Sequence, residues 1–210
     1  MRVEIWSDMV CPWCYVGTRR FEAAAARVRA DGREVEVLHR AFELDPTVPR
    51  GCQDLAEYLG RKFGGSGRVS AAHARLDLLG GDVGIDFRWE GKRRTNSFDA
   101  HRLSAWALAT AGPEAQAALV QRVFRAYFTD NLDIADHGVL ASLAGEAGLD
   151  AEAAAAALAS DEWAGEVREE EARAAAMDIH AVPTFVVDGR FAIPGAQDED
   201  TFVRLLAKVA

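Results

Sequence analysis

The chain has 210 residues, which is typical of one large domain or of a small domain carrying a second one. Half of the residues are hydrophobic and 27% are charged, a balance that excludes a disordered or collagen-like protein. The formal net charge of −9 disfavours binding to a nucleic-acid backbone, and no apolar run reaches the roughly 20 residues of a membrane span. Three cysteines are too few for a disulfide-stapled scaffold, and the first residues lack the apolar core of a signal peptide, so we expect a cytoplasmic protein.

The amino-terminal segment alternates between strand and helix patterns. Residues 2–7 alternate polar and apolar side chains, which predicts a short strand, and residues 34–41 repeat that pattern. Between these two segments, Trp13, Val16 and Phe21 have the spacing of one helical face. Because a strand–helix–strand unit in one sheet is typically parallel, we expect the two strands to pair in parallel.

The middle of the chain, about 52–178, contains almost no strand signal and consists of alanine-rich segments separated by glycine-rich breaks. We expect the part from Pro49 to Trp163 to form an all-helical insertion that covers the face carrying Cys11, because it is too long and too apolar for a loop. The predicted helices span 52–63, 68–80, 97–111, 113–128, 136–147, 151–159 and 161–177.

The carboxyl-terminal segment predicts a hairpin followed by a last helix. Asp188-Gly189 separates two short apolar runs, and this dipeptide is typical of a tight β-hairpin turn. An amphipathic pattern predicts a helix over about 198–208. Together with the two amino-terminal strands, the hairpin predicts an α/β fold with a mixed sheet of about four strands.

The segment Cys11-Pro12-Trp13-Cys14 begins the first helix, directly after the first strand. Helical residues three apart share a face and lie within the reach of a disulfide, and proline is tolerated in the first turn. Cys11 is expected at the positive end of the helix, where a thiolate is favoured, and Cys14 one turn deeper. This asymmetry suits dithiol chemistry, in which Cys11 reacts first and Cys14 resolves the mixed disulfide.

Two other interpretations of the cysteine pair are weighed against the redox one. Half a zinc site would need two further ligands, and the chain has no second C-x-x-C and no paired histidines, so we predict no metal. Two inert core cysteines are disfavoured because proline seldom separates them at a helix start. The third cysteine, Cys52, has no partner by spacing and is interpreted as an incidental thiol.

Pro183 begins the predicted hairpin in the segment Ala181-Val182-Pro183-Thr184-Phe185, and proline starts a strand only at special positions. A C-x-x-C at a strand-to-helix junction, followed late in the chain by Val-Pro-Thr-Phe and an Asp-Gly turn, resembles the thioredoxin fold. The helical insertion and the valine before Pro183 resemble the DsbA family. The chain is similar to the FrnE-like branch of that family in the segments 7–17, Phe42-Glu43-Leu44, Asn96–Arg102, Ala126-Tyr127-Phe128 and Gly195-Ala196-Gln197.

This resemblance implies a DsbA-like thioredoxin fold with a large inserted helical subdomain. We expect residues 1–48 and 164–210 to form the thioredoxin-like domain and residues 49–163 the insertion. In that fold the proline corresponding to Pro183 is cis and lies against the active-site cysteines. The resemblance also implies that Val182 offers its backbone to an extended substrate.

The resemblance assigns roles to several further residues. It makes Cys11 the nucleophile, Cys14 the resolving thiol and Pro183 a catalytic-site residue. Trp13 stands where strongly oxidising relatives have histidine, and it is expected to form an apolar wall for the substrate. His101 is a candidate to face the site from the insertion, with a core histidine as the alternative.

Three further candidates are weaker, because each also has a purely structural interpretation. Gln197 lies where glutathione-binding relatives hold the γ-glutamyl end of their ligand, and the alternative is a helix cap. Asp8 is expected to cap the first helix, and the alternatives are that it holds the loop or helps to ionise Cys14. The basic run 92–94 is expected to be a solvated loop rather than an anion site.

We predict an enzyme, a thiol–disulfide oxidoreductase or isomerase that acts on protein or small-molecule disulfides. The alternative is a transferase or isomerase that depends on glutathione or another low-molecular-weight thiol and acts on a small aromatic or polyketide-like substrate. The relatives 2-hydroxychromene-2-carboxylate isomerase and kappa-class glutathione transferase carry serine in place of Cys11, so the cysteine pair favours disulfide chemistry. A non-enzymatic binding module is disfavoured because the cysteines and Pro183 are intact.

The partners follow from the same reasoning. We expect no tightly bound cofactor, with glutathione or another low-molecular-weight thiol as a co-substrate. Neither nucleic acid nor a membrane is expected as a partner, and the chain is predicted to be a monomer or a homodimer. The physiological substrate, the electron donor and the net direction of the reaction do not follow from the sequence.

Overall fold

The computed structural model describes residues 1–49 and 53–209. Helices and strands alternate at both ends of the chain, and helices dominate the middle, as predicted. In chain order the elements are β1 (Arg2–Ser7), α1 (Pro12–Ala30), β2 (Glu36–Ala41), β3 (Gln53–Asp54), α2 (Leu55–Phe63), α3 (Ser66–Gly81), β4 (Arg93–Arg94), α4 (Phe98–Phe128), α5 (His137–Glu146), α6 (Ala151–Ala159), α7 (Ala164–Ala176), β5 (Thr184–Val187), β6 (Phe191–Pro194) and α8 (Glu199–Val209).

A four-stranded sheet with the spatial order β2-β1-β5-β6 carries the rest of the fold. β1 pairs in parallel with β2, whereas β1 and β5, and β5 and β6, pair antiparallel. The predicted mixed sheet is confirmed. The turn between β5 and β6 contains Asp188 and Gly189, both with positive φ (48° and 66°), which is the backbone conformation that Asp-Gly favours in hairpins.

Helices cover both faces of this sheet. On one face α1 and α8 pack through three fully buried rings, Phe21, Phe185 and Phe202, whose centroids lie 4.7–5.3 Å apart. Burying each such side chain contributes roughly 1.5–3 kcal/mol. On the other face Trp6 and Val186 pack against residues of α7 and the segment after it. The helices on the two faces fix the orientation of β1 and therefore the position at which α1 begins.

The insertion builds a second core that continues into the cysteine region. The ring of Tyr15 from α1 stacks on Phe124 of α4 at 5.1 Å with an interplanar angle of 6°. Cys11 and Cys14 belong to the same buried cluster as these rings. The insertion therefore covers the cysteine face of the sheet domain, as predicted.

The element α4 contains the two predicted helices, 97–111 and 113–128, which meet at a kink. Gly112 adopts φ 86° and ψ −179° inside it, and Pro113 follows directly, so the helical axis breaks where the sequence predicts a stop. The flanking helical segments continue on both sides of this kink.

The expectation of an entirely helical insertion is wrong in one detail. Two residues of β3, Gln53–Asp54, pair antiparallel with two residues of β4, Arg93–Arg94. The pair forms where the extended segment before α4 runs past the start of α2, and the Leu55 N–H donates to the Lys92 carbonyl at 3.1 Å. A two-residue strand is too short to show the alternation that predicts strands.

The basic run that contains β4 is also more structured than predicted. Lys92 is buried, and its ammonium donates to the carbonyl oxygen of Tyr127 and to Asn131 Oδ1. Burial lowers the pKa of Lys92 to about 8. Arg94 forms an ion pair with Asp45, and of this run only Arg93 is exposed. The interpretation as a solvated loop is therefore wrong for Lys92 and Arg94.

Side chains form hydrogen bonds with backbone N–H and C=O groups on the outer edge of β2. The Gln116 amide accepts from the His39 N–H and donates to the His39 carbonyl, each at 2.9 Å. One residue pair along, the Ala41 N–H donates to Glu170 Oε2 at 2.7 Å. Helices α4 and α7 thus lie against this edge and hold it in register.

Candidate active site

The two cysteines lie at the amino end of α1, directly after β1. Pro12 is the first helical residue, and Cys11 precedes it in extended backbone with φ −95° and ψ 112°. The Cys11 carbonyl accepts hydrogen bonds from the N–H groups of Cys14 at 3.0 Å and Tyr15 at 3.2 Å. The Cys11 thiol therefore sits at the positive end of the helix dipole, a position that stabilises a thiolate.

Both thiols are free and buried, to different degrees. Cys11 is 5% exposed and Cys14 is fully buried. Burial raises the pKa of the Cys14 thiol well above its ordinary value, and the hydrogen-bonded Cys11 thiol raises it further. The prediction of a shared environment with Cys11 nearer to solvent is confirmed. Of the two thiols, Cys11 is therefore the more accessible one.

The peptide bond between Val182 and Pro183 is cis, as the resemblance implies. The Cys11 Sγ donates to the Val182 carbonyl oxygen at 3.9 Å, so the loop before β5 lies against the Cys11 thiol. Gly17 of α1 packs on the same loop, and a Cβ at this position would lie 2.9 Å from Pro183 Cγ. A residue without a side chain is thus needed for α1 to approach the proline this closely.

Trp13 lies half-buried at the cysteine end of α1, and Arg75 of α3 covers it. The guanidinium carbon of Arg75 lies 5.4 Å from the centroid of the indole ring, within cation–π range. Arg75 is exposed, and no carboxylate in the described part of the chain forms an ion pair with it. The sequence pattern did not single out Arg75, because it lies in the insertion, far along the chain from the cysteines.

Asp8 does not cap α1, contrary to the prediction. Its Oδ1 accepts from the Val10 N–H at 3.2 Å and its Oδ2 from the Leu44 N–H at 2.7 Å, and α1 has no side-chain cap. Asp8 is 1% exposed and holds the loop between β1 and α1 against the segment after β2. The weaker alternative, a loop-holding role, is the one that the contacts support.

His101 of α4 lies beneath this loop. It is 3% exposed, and its Nε2 lies 3.6 Å from Asp8 Oδ1. The expectation that His101 contacts substrate is not supported, because the side chain is buried behind the cysteine loop and does not face solvent.

Comparisons with known proteins agree with this geometry. The family profile described as DSBA-like thioredoxin domain matches residues 2–207. This chain belongs to the DsbA-like thioredoxin family. A solved structure of a probable DsbA oxidoreductase from Streptomyces coelicolor is 38% identical, with a TM-score of 0.91 over 99% of this chain and 89% of that one. Both the fold class and the predicted family are confirmed.

Two further proteins are similar over nearly their whole length. The uncharacterized protein YwbO of Bacillus subtilis (strain 168) is 28% identical over 99% of this chain and 96% of its own. The cytosolic disulfide reductase DsbM from Pseudomonas aeruginosa, solved with GSH, shares the fold with a TM-score of 0.72, 20% identity, and coverage of 100% of this chain and 98% of that one.

In this DsbA-like chain Gln197 bonds within its own loop. Its Nε2 donates to the Pro194 carbonyl at 2.7 Å, and it is partly buried. The alternative of a helix cap is wrong, because Asp198 caps α8 by accepting from the Thr201 N–H at 2.8 Å. Ligand binding by Gln197 stays a prediction, as do the substrate contacts of Val182 and Trp13.

Other parts of the DsbA-like chain add little to the site. Cys52 lies outside the described residues. Within residues 1–49 and 53–209, no cluster of three or more His, Cys, Asp or Glu side chains has the geometry of a metal site. None of the helices described is both long enough and apolar enough to cross a bilayer. A surface cavity of about 860 Å³ lies by the carboxyl end of α1, lined by Arg29, Gly32 and Arg33 among others, away from the cysteines.

Proposed function

We propose that this DsbA-like chain is a thiol–disulfide oxidoreductase that reduces or isomerises disulfides with Cys11 and Cys14. The observation that carries the proposal is the position of Cys11, at the start of α1 with its thiol against the loop of the cis proline. Cys14 lies one turn deeper and fully buried, so an incoming substrate meets only Cys11. This pair has the asymmetry that a nucleophile and a resolving thiol require.

The reaction has two steps. The Cys11 thiolate attacks a sulfur of the substrate disulfide, a mixed disulfide forms, and the first substrate sulfur leaves with the electron pair. Cys14 then attacks the Cys11 sulfur and releases the second substrate thiol. The substrate gains two electrons and the protein dithiol becomes a disulfide, which a thiol donor must reduce before the next turnover.

The proposed co-substrate is glutathione or another low-molecular-weight thiol that carries carboxylates, used in the cytoplasm. Arg75 supports this part of the proposal, since an exposed guanidinium without a carboxylate partner among the described residues lies at the Trp13 wall of the site. The P. aeruginosa reductase with the same fold was solved with GSH. Arg75→Met should raise the KM for the reducing thiol, while Arg190→Met, at an exposed arginine in the hairpin turn, should leave it unchanged.

Insulin reduction with a thiol donor tests the proposal. Wild type should reduce insulin, and Cys11→Ser should abolish turnover because no mixed disulfide forms. Cys14→Ser should form the mixed disulfide and fail to release it, so mass spectrometry should find a covalent adduct. Cys52→Ser is the matched control and should keep the wild-type rate.

The competing function, a thiol-dependent transferase or isomerase, predicts the opposite pattern. Under that function Cys14→Ser keeps its full steady-state activity on a small electrophile with glutathione. Wild type, in the same scheme, never reduces insulin. Either of these results contradicts the oxidoreductase proposal.

A further inference from the structure

The surface cavity of about 860 Å³ by the carboxyl end of α1 reaches the outer edge of β2. Its apolar lining comes from three parts of the chain: Ala25 of α1, Val35 and Val37 at the start of β2, and Pro113 and Ala117 of α4 just after the kink. The volume lies in the range of ligand-binding sites. This cavity has no part in the dithiol site.

The backbone of β2 presents alternate residues to its outer edge. Glu36 faces β1, because its N–H donates to the Met1 carbonyl at 2.9 Å. His39 and Ala41 face outward, because their N–H groups donate to side chains of α4 and α7. Since backbone groups alternate in direction along a strand, the N–H and C=O of Val37 face outward as well.

Val37 is an open position on this edge. No group in the described part of the chain forms a hydrogen bond with its outward N–H or C=O, and the residue is partly exposed. On one side Gln116 occupies both groups of His39, and on the other the Val35 carbonyl accepts from Arg29 at 2.7 Å. Because side chains bound the opening at both ends, it suits a short extended segment and not a long strand.

The charges around the opening favour a cation. The ionisable side chains of the lining are four glutamates and two arginines: Glu22, Glu34, Glu36, Glu114, Arg29 and Arg33. Both arginines are engaged, since each donates to a backbone carbonyl oxygen. Glu34 and Glu114 are exposed, and within residues 1–49 and 53–209 neither carboxylate forms an ion pair. A basic side chain that enters the cavity therefore meets two unpaired carboxylates.

We propose that this cavity binds a short extended peptide segment that carries lysine or arginine and adds to the edge of β2 at Val37. The peptide backbone pairs with the Val37 N–H and C=O, and a basic side chain pairs with Glu34 or Glu114. Val37 lies beside Val3 near the start of β1, whereas the cysteines follow the end of β1. A partner protein held at this site leaves Cys11 accessible, and the inference does not depend on the proposed function.

A second copy of this chain is a poorer occupant than a basic segment of another protein. The chain has a formal net charge of −9, and a two-fold contact through β2 would bring the unpaired carboxylates of both copies together. The other outer strand of the sheet, β6, ends in Pro194, which has no N–H to donate. A basic peptide satisfies both the backbone groups and the charges.

NMR titration of the reduced protein, isotope-labelled at valine, tests the proposal with capped pentapeptides. Thr-Lys-Val-Lys-Thr should shift the Val37 amide signal, assigned with Val37→Ile, because a hydrogen bond forms at that N–H. Thr-Glu-Val-Glu-Thr should bind about tenfold more weakly or less. Glu34→Gln and Glu114→Gln should each weaken binding of the lysine peptide by about 1.5- to fivefold. Glu169→Gln, at an exposed glutamate of α7, is the matched control and should leave binding unchanged.

Backbone methylation separates strand addition from attraction of charge alone. Alternate N–H groups of an extended peptide face the strand, so N-methylation should abolish binding at either the central valine or the lysine after it, and not at both. Equal affinity of the two methylated peptides, equal binding of the acidic peptide, or no Val37 shift at millimolar lysine peptide would overturn the proposal. The same holds if spermidine alone shifts Val37 as strongly. A Val37 shift that grows with protein concentration without peptide would make a second copy the occupant and also overturn it.

Discussion

Lowering the pH from about 7 to about 5 is expected to weaken the fold through His39, a residue outside the site. His39 lies in β2 and is 3% exposed, and neither ring nitrogen has a hydrogen-bond partner among the described residues. Burial lowers the pKa of the imidazole from 6.5 to about 4. Because the unfolded chain keeps the ordinary pKa, it takes up a proton that the folded state excludes. Stability is therefore lost as the pH falls from about 6.5 toward 4.

The size of the effect follows from the difference between the two pKa values. Each pKa unit corresponds to about 1.36 kcal/mol, and the difference between 6.5 and about 4 spans about 2.5 units. Most of the titration of the unfolded state is complete by pH 5, so the expected loss between about pH 7 and 5 is about 2 kcal/mol. That is a large part of a typical unfolding free energy of about 5–15 kcal/mol.

Urea unfolding at the two pH values measures the loss, with a phosphine reductant keeping the cysteines reduced. The variant His39→Leu has no group to titrate and should lose about 2 kcal/mol less than wild type over this range. Buried carboxylates and His101 titrate in both proteins, so their contributions cancel in the comparison. His180→Gln, at an exposed histidine, should behave as wild type. Equal pH dependence of His39→Leu and wild type would refute the reasoning.

Three further outcomes are expected. Gly17→Ala should lower the unfolding free energy, measured in urea, by about 1–3 kcal/mol, because its Cβ would lie 2.9 Å from Pro183 Cγ. Gly60→Ala is the control and should not lower the unfolding free energy, because a Cβ at that position would have no neighbouring atom within 4 Å. Trp13→His should make the dithiol couple more oxidising in a redox equilibrium against glutathione, because a cation at this position stabilises the Cys11 thiolate; an unchanged potential would contradict this. Arg102 is buried and donates to Asp99 Oδ1 at 2.8 Å and to the carbonyl oxygens of Ala157 and Glu162 at 3.0 and 2.9 Å. Arg102→Met should cost about 3–5 kcal/mol in thermal or urea unfolding because it removes the cation of this buried ion pair, and a loss below about 1 kcal/mol would show that the pair is dispensable.

The local features of the fold could be predicted because their signals lie within a few residues of one another. Asp188-Gly189 specifies a tight turn through its own backbone preferences, and the structure has the hairpin. The stop at Gly112 appears as a kink at the predicted residue. The Cys11 to Cys14 spacing and Pro12 fix the dithiol on one helical turn, so the reactive pair also followed from the sequence.

The errors concern residues whose roles are set by partners distant in the chain. Aspartate before a helix is typical of a helix cap, yet the carboxylate of Asp8 accepts a hydrogen bond from the Leu44 N–H, which lies in another loop. Lys92 carries a charge that predicts exposure, but its ammonium donates to the Tyr127 carbonyl oxygen at the end of α4 and to Asn131 Oδ1, and these acceptors make its burial possible. His101 could be placed in the site region but not assigned a neighbour. Such pairings depend on tertiary packing, which a single sequence does not encode in local spacing.

The Gln116 amide also affects how this protein behaves among other copies of itself. An edge strand with free N–H and C=O groups is a template on which a second chain can add its own strand, and such pairing leads to aggregation. At His39, where β2 would offer both groups, the amide already occupies them at 2.9 Å. This side chain imitates a neighbouring strand without exposing a further edge. The sheet is therefore protected from intermolecular growth at this point by one residue of α4.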